Sequence, residues 1–92
     1  MTTVIHDSQS GEFRVHLEAD YYAVARYQRI DGKVMAITST RVPDELQGKG
    51  YGKVLMEAIL PEIEQMGVTI RPVCPYVEHY LNRHAQWQHL LA

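Results

Sequence analysis

The run Val42-Pro43-Asp44-Glu45-Leu46-Gln47-Gly48-Lys49-Gly50-Tyr51-Gly52-Lys53-Val54-Leu55 decides how the rest of the chain is read. Before it, Val34 to Val42 (VMAITSTRV) has the β-branched character of a strand, stopped by Pro43. After it, Leu55, Ala58, Ile59, Ile63 and Met66 recur at spacings of three and four, which predicts an amphipathic helix. Glycines at alternate positions between the two let the backbone turn tightly and aim its N–H groups outward, and the helix adds the positive end of its dipole. Such a junction suits a phosphate. The competing reading is a plain surface loop, and the flanking elements weigh more than the glycines in choosing between them.

Two nucleotide loops are excluded by spacing. A P-loop needs Ser or Thr after its Lys, but Lys53 is followed by Val54, which offers no hydroxyl to a magnesium ion. A dinucleotide fingerprint needs G-x-G-x-x-G and an acidic residue about 20 positions on. Here the pattern is G-x-G-x-G, and Val68 to Cys74 contains no acid.

Working outward, the first half is strand-like. Phe13, Val15 and Leu17 alternate with Glu12, Arg14, His16 and Glu18, placing one apolar face on a strand of period two. A turn at Glu18 to Asp20 leads into Tyr21 to Ile30, and Asp31-Gly32 is a hairpin signal before the strand from Val34. Three antiparallel strands are expected. On the other side, Gly67 should close the long helix. Pro61 lies inside that helix, where it removes a hydrogen bond and clashes with the carbonyl of Glu57, so a kink or a break near Leu60 is expected. Val68 to Val73 is a short strand reached through a helix, hence parallel to its neighbour by a right-handed crossover. Pro72 cannot donate to a ladder, so something other than a strand should lie beside it. Pro75 suits the first turn of a second helix carrying Tyr76, Val77, Tyr80, Leu81 and His84, and Trp87, Leu90 and Leu91 form a last short piece. The class is α/β (α+β), an antiparallel β-meander followed by α-β-α.

At 92 residues the chain suits one domain spanning 1–92, since domains run to roughly 100–200 residues. Its 46% hydrophobic and 22% charged residues are ordinary for a globular protein and argue against disorder or coiled coil. Nine Lys and Arg against 11 Asp and Glu leave a net charge of −2, which offers no general pull toward nucleic acid or anionic lipid, so an anionic ligand must be held by local geometry. The lone Cys74 cannot form an internal disulfide, which fits a reducing compartment. The first fifteen residues lack a leader pattern and no apolar run approaches the roughly 18 residues of a membrane span, so a cytoplasmic location is expected.

Gln47-x-x-Gly50-x-Gly52, after Thr40-Arg41-Val42-Pro43 and before a helix, resembles the acyl-CoA pyrophosphate signature of GNAT-type N-acetyltransferases. With Cys74-Pro75-Tyr76-Val77, Tyr80 and the Asn82 to Trp87 tail, the chain is similar to a very short single-domain branch of that superfamily, over about Phe13 to Trp87. The resemblance implies acetyl-CoA as the cofactor. It implies that the strand before the glycine loop splays from the next parallel strand and admits the pantetheine arm. It places the pyrophosphate on the N–H groups of Gly48, Lys49, Gly50, Tyr51, Gly52 and Lys53, with Val42 and Gln47 beside it and Lys49 or Lys53 adding charge.

Cys74 and Tyr80 are the catalytic candidates. As N-cap of the second helix, Cys74 would have its thiolate favoured by the dipole; the alternative is a buried thiol lining the cofactor gap, because the family usually passes the acyl group directly to an amine. Tyr80 resembles the family tyrosine that protonates the departing thiolate, against ordinary core packing. Short members often carry His where Ser39 stands, and Ser is no base at neutral pH without help. Zinc is disfavoured for Cys74, His79, His84 and His89, since five-residue spacing turns each helical His by about 140° from the last, so no metal is expected. The tyrosines lack the basic stripe of a nucleic-acid platform.

The expected function is acetyl-CoA-dependent transfer of an acetyl group to an amine acceptor, with no nucleic-acid or membrane partner. A non-catalytic acyl-CoA binding or sensing module is the alternative, favoured by Ser39, and a protein-interaction domain is a third. Larger GNAT proteins shape the acceptor site with helices between their first two strands, whereas Glu18 to Tyr21 leaves room only for a turn. The acceptor side is therefore open to a protein Lys or chain terminus, or is completed by a second subunit in a homodimer.

Overall fold

The computed structural model describes residues 3–92. Five strands form one sheet in the order β1 (Val4–Asp7), β2 (Glu12–Glu18), β3 (Tyr21–Arg29), β4 (Val34–Arg41), β5 (Thr69–Pro72). The first four are antiparallel and β5 is parallel to β4. The meander therefore has four strands, not three. β1 pairs Val4 with Val15 and His6 with Phe13, and a turn follows in which Asp7 Oδ1 accepts bonds from the N–H groups of Gln9 (3.1 Å) and Ser10 (3.2 Å). The connection between the first two strands is thus Ser8 to Gly11 rather than Glu18 to Tyr21, and both are tight turns. At the β3–β4 hairpin, Asp31 Oδ1 accepts from Lys33 N and Val34 N.

Helix α1 (Tyr51–Met66) leads from β4 to β5, and α2 (Pro75–Arg83) follows β5, with a short 3-10 turn on either side of this unit at Asp44–Leu46 and Ala85–Leu90. The α1 stripe buries Leu55, Met56, Ile59, Leu60 and Ile63, while Ala58 and Met66 lie at its margin. Pro61 does not break the helix, which runs continuously to its cap at Gly67. The reason is positional. Glu57, whose carbonyl loses its partner, is on the exposed side, where water can replace a helical bond.

Alternation places Phe13, Val15, Ala23, Ala25, Met35, Ile37 and Ile70 on one face of the sheet, and both helices pack there through Ile59, Ile63, Val77 and Leu81 in a single core. Fully burying each such Leu, Ile or Phe contributes about 1.5–3 kcal/mol. Both helices and the glycine junction therefore share one side, leaving Arg14, Arg26, Arg41 and Arg71 exposed on the other.

Candidate functional site

The β4–β5 ladder runs from Val34–Thr69 to Ile37–Pro72 and stops. Pro72 has no N–H to continue it, and the next bond is Cys74 N–H to the carbonyl of Ile37 at 2.9 Å, as the chain turns into α2. Beyond that point β4 continues from Thr38 to Arg41, paired only with β3. Thr38 is an extra residue opposite the consecutive pair Arg26 and Tyr27, a bulge that re-aims the end of β4. Its hydroxyl donates to the carbonyl of Arg26 at 3.3 Å. β5 thus ends before β4 does, and the last residues of β4 lie beside the start of α2 rather than beside a strand.

The glycine junction stands over this opening. Gln47 Nε2 donates to the carbonyl of Val42 (3.1 Å) and to Asp44 Oδ1 (3.2 Å), tying the loop back to the end of β4. Tyr51 Oη donates to Glu18 Oε2 at 2.5 Å, anchoring the first turn of α1 to the β2–β3 turn. Gly50 is the N-cap of α1 with φ +79°, a left-handed conformation suited to glycine, and no side chain caps the helix. The first N–H groups of α1 are therefore available to an anion, reinforced by the dipole. Gly52 answers a different need: a Cβ there would stand 2.8 Å from Tyr76 Oη, so its absence lets Tyr76 lie across the first turn of α1.

These groups enclose a cavity of about 370 Å³. Its rim is Gln47, Gly48, Gly50, Tyr51, Gly52 and Lys53; Thr40 and Val42 of the β4 end form one wall, Leu46 and Leu55 the apolar base, and Tyr76 the other wall. Seven of the eight residues expected around the cofactor line it; Lys49 is exposed on the loop outside the lining. A larger cleft of about 590 Å³ lies beside Val4, Val54 and Ala58, but its charged groups are Glu57 and Glu62, which would repel an anion. Thr40 and Tyr76 were not singled out from the sequence as site residues. Their signals were a polar residue at the inward register of a strand end and an aromatic opposite a helical glycine.

Cys74 is 7% exposed, and its Sγ lies 3.5 Å from Thr40 Oγ1. Burial pushes its thiol up, but the Thr40 hydroxyl and the N–H groups of Val77, Tyr76 and Thr40 outweigh that, and the net displacement is downward. Tyr80 stacks on His84 with ring centroids 3.9 Å apart, and lines two smaller clefts that share Lys53 with the glycine cavity. Burial, then the charge of Glu57, raises its phenol, so it holds its proton at neutral pH. Tyr76 is 6.3 Å ring to ring from Tyr80, its own phenol raised by burial. The histidines diverge: His79 borders a cleft with Arg83, His84 Nδ1 is 2.7 Å from the carbonyl of Tyr80, and His89 Nε2 is 2.6 Å from Glu64 Oε2. Among the described residues no group of three or more His, Cys, Asp or Glu gathers as a metal site would require.

The family model described as GCN5-related N-acetyl-transferase matches residues 12–90. Protein NATD1 of Mus musculus is 28% identical over 88 residues, covering 95% of this chain and 80% of its own. Protein NATD1 of Homo sapiens is 27% identical, covering 95% and 78%. A GCN5-like protein of Staphylococcus aureus solved by NMR shares the fold with a TM-score of 0.73, over 98% of this chain and 87% of that one, at 23% identity.

Proposed function

The chain belongs to the GCN5-related N-acetyltransferase family, and from that premise we propose that it is an acetyl-CoA-dependent N-acyltransferase acting on an amine. The observation that carries the proposal is the cavity in which the uncapped N-terminus of α1 adjoins the end of β4. The residues fit the cofactor. Gly48 and Gly50 have φ of +84° and +79° and open space where a Cβ would be, so an anion can approach the backbone N–H groups closely, and Lys53 adds a positive charge. Past Ile37 no strand pairs with this side of β4, and its backbone offers an edge along which a pantetheine amide can bond in place of the Thr40 N–H contact with Cys74.

When bound, acetyl-CoA would supply an activated acyl group: a new N–C bond replaces the S–C bond, and the proton lost by nitrogen ends on the thiol sulfur. The chain's own part is to hold and orient. Backbone donors at the β4 edge fix the acyl carbonyl, and bringing the amine within reach removes the entropic cost of a bimolecular encounter. Tyr80, protonated at neutral pH, is the proposed proton donor, reaching the site by way of the clefts it shares with Lys53. Cys74, beside Thr40 at the mouth of the opening, either lines the acyl channel or serves as a nucleophile.

Calorimetry with CoA and acetyl-CoA tests the binding reading: heat of binding is expected for both, and no binding at about millimolar ligand would refute it. Gly50→Val should abolish the phosphate contact, and unchanged affinity would remove the loop assignment. Incubation with acetyl-CoA and a pool of amines and peptides then compares wild type with Cys74→Ala and Tyr80→Phe. Product lost only in Cys74→Ala supports a covalent route, while equal activity in all three refutes both assignments. A non-catalytic acyl-CoA module is favoured by one observation, that Tyr80 lies outside the glycine cavity, and cofactor binding without product from any amine would select it.

A further inference from the structure

The sheet face opposite the helices has a charge pattern that the cofactor does not use. Cross-strand register puts Glu12, Arg26 and Ser39 in one row across β2, β3 and β4, and Arg14, Val24 and Arg41 in the next. On β5, Arg71 pairs with Ala36 on the same face. Four of the chain's six arginines thus stand on one side of a molecule whose net charge is −2. Glu12 is already engaged, 3.7 Å from both Arg14 Nε and Arg26 Nε. Among the described residues Arg41 and Arg71 form no ion pair.

This face also communicates with the cofactor side. A shallow cleft of about 500 Å³ is lined by Glu12, Val24, Arg26, Ser39 and Arg41, and also by Thr40. Thr40 lines the glycine cavity as well, from the other side of the β4 edge. Thr40, at the end of β4 beyond its last pair with β5, is thus the residue that the two cavities share across the sheet. We propose that this arginine face receives the acceptor, and that the acceptor is an acidic polypeptide segment presenting a primary amine at Thr40, flanked by Asp or Glu. The proposal rests on the acyltransferase reading.

Size and charge both select this occupant. With strands about 4.8 Å apart, β2 to β5 spans about 14 Å, the reach of four or five extended residues and more than a small amine can contact. Unpaired guanidiniums on a flat exposed face complement carboxylates and penalise a basic segment. The tight turns at Ser8 to Gly11 and Ala19-Asp20 leave the face uncovered, so a polypeptide can lie across it.

The test uses three labelled peptides of equal length: an N-capped one with a central Lys flanked by Asp and Glu, the same with Arg flanks, and an uncapped acidic one lacking Lys. Fluorescence anisotropy with CoA present reads binding, and mass spectrometry with acetyl-CoA reads transfer. At least about tenfold preference for acidic over basic flanks is expected, shrinking as salt rises through the range where the Debye length falls below about 10 Å. The first and third peptides distinguish a lysine acceptor from a chain terminus. The double variant R41Q/R71Q, which removes the two unpaired guanidiniums, should weaken the acidic peptide about fivefold, on the scale of exposed ion pairs, without altering CoA affinity by calorimetry. Equal or better handling of the basic peptide, or an unchanged double variant, would overturn the acceptor assignment while CoA binding stood. Failure of wild type to bind CoA would instead overturn the acyltransferase reading beneath it.

Discussion

Replacing Gly52 with alanine should spare stability and damage cofactor binding, whereas replacing Gly50 should damage both. Gly50 has φ +79° with nothing within 4 Å of a built Cβ, so an alanine there meets no clash but must hold a left-handed backbone. That costs about 1–2 kcal/mol, or roughly 4–8 °C in Tm per kcal/mol for a domain of this size. Gly52 is in the first turn of α1 with ordinary helical backbone, where alanine gains up to about 1 kcal/mol in propensity. Its Cβ would stand 2.8 Å from Tyr76 Oη and 3.0 Å from Cζ. The obstruction is the free end of a side chain 38% exposed, so the ring swings away rather than the backbone yielding. Net stability should stay within about 0.5 kcal/mol of wild type. The displaced ring opens one wall of the cavity and carries the Tyr76 hydroxyl away from the bound phosphate's side of it. Losing one hydrogen bond to a charged group costs about 1.5–3 kcal/mol, so CoA should bind at least about tenfold more weakly. Urea melts and CoA titrations on both variants decide the matter. A Gly52→Ala protein as destabilised as Gly50→Ala, or one binding CoA like wild type, would refute the reasoning.

Pro61→Ala should restore the bond to the Glu57 carbonyl and stabilise the protein by about 1–3 kcal/mol in urea melts; no gain would mean the helix is already relaxed around the ring. The phenols of Tyr27, Tyr76 and Tyr80 are raised chiefly by burial and that of Tyr51 chiefly by its bond to Glu18. A raised folded pKa gives stability that is whole below the ordinary tyrosine range and is lost as pH climbs through the folded values, so stability should fall above pH ~10. Absorbance titration near the phenolate band should show the native protein ionising later than the denatured one, and coincident curves would contradict this. Thr40→Val keeps the shape of the side chain but removes the hydroxyl facing Cys74, so the pH midpoint of thiolate absorbance should move up. A midpoint unmoved or lowered would show that the helix N–H groups act alone.

What could be read from the chain and what could not divide along a physical line. The α1 stripe, the Asp31-Gly32 hairpin, Gly67 and Pro75 were legible because each is a local code, resolved within a few residues. β1 was missed because Val4 to Asp7 is four residues long with two of them polar, too short for period two to stand out, and it becomes a strand only by pairing with β2. Pro61 misled because a propensity penalty was set against a helix that Leu55, Ile59, Leu60 and Ile63 hold in place by burial. The site divides in the same way. The proposed phosphate cradle is built from backbone, so its glycines announce it in one contiguous run. Its walls, Thr40 and Tyr76, are 36 positions apart and meet only because β4 and α2 converge. The arginine face is more dispersed still: Arg14, Arg26, Arg41 and Arg71 come from four strands, and the bulge at Thr38 shifts the register that aligns Arg41 with Val24. The proposed cofactor is legible in a chain this short because backbone geometry is local. The acceptor proposed for it would be specified by side chains whose adjacency exists only across the folded sheet, and peptide-binding measurements on that face reach what linear reading does not.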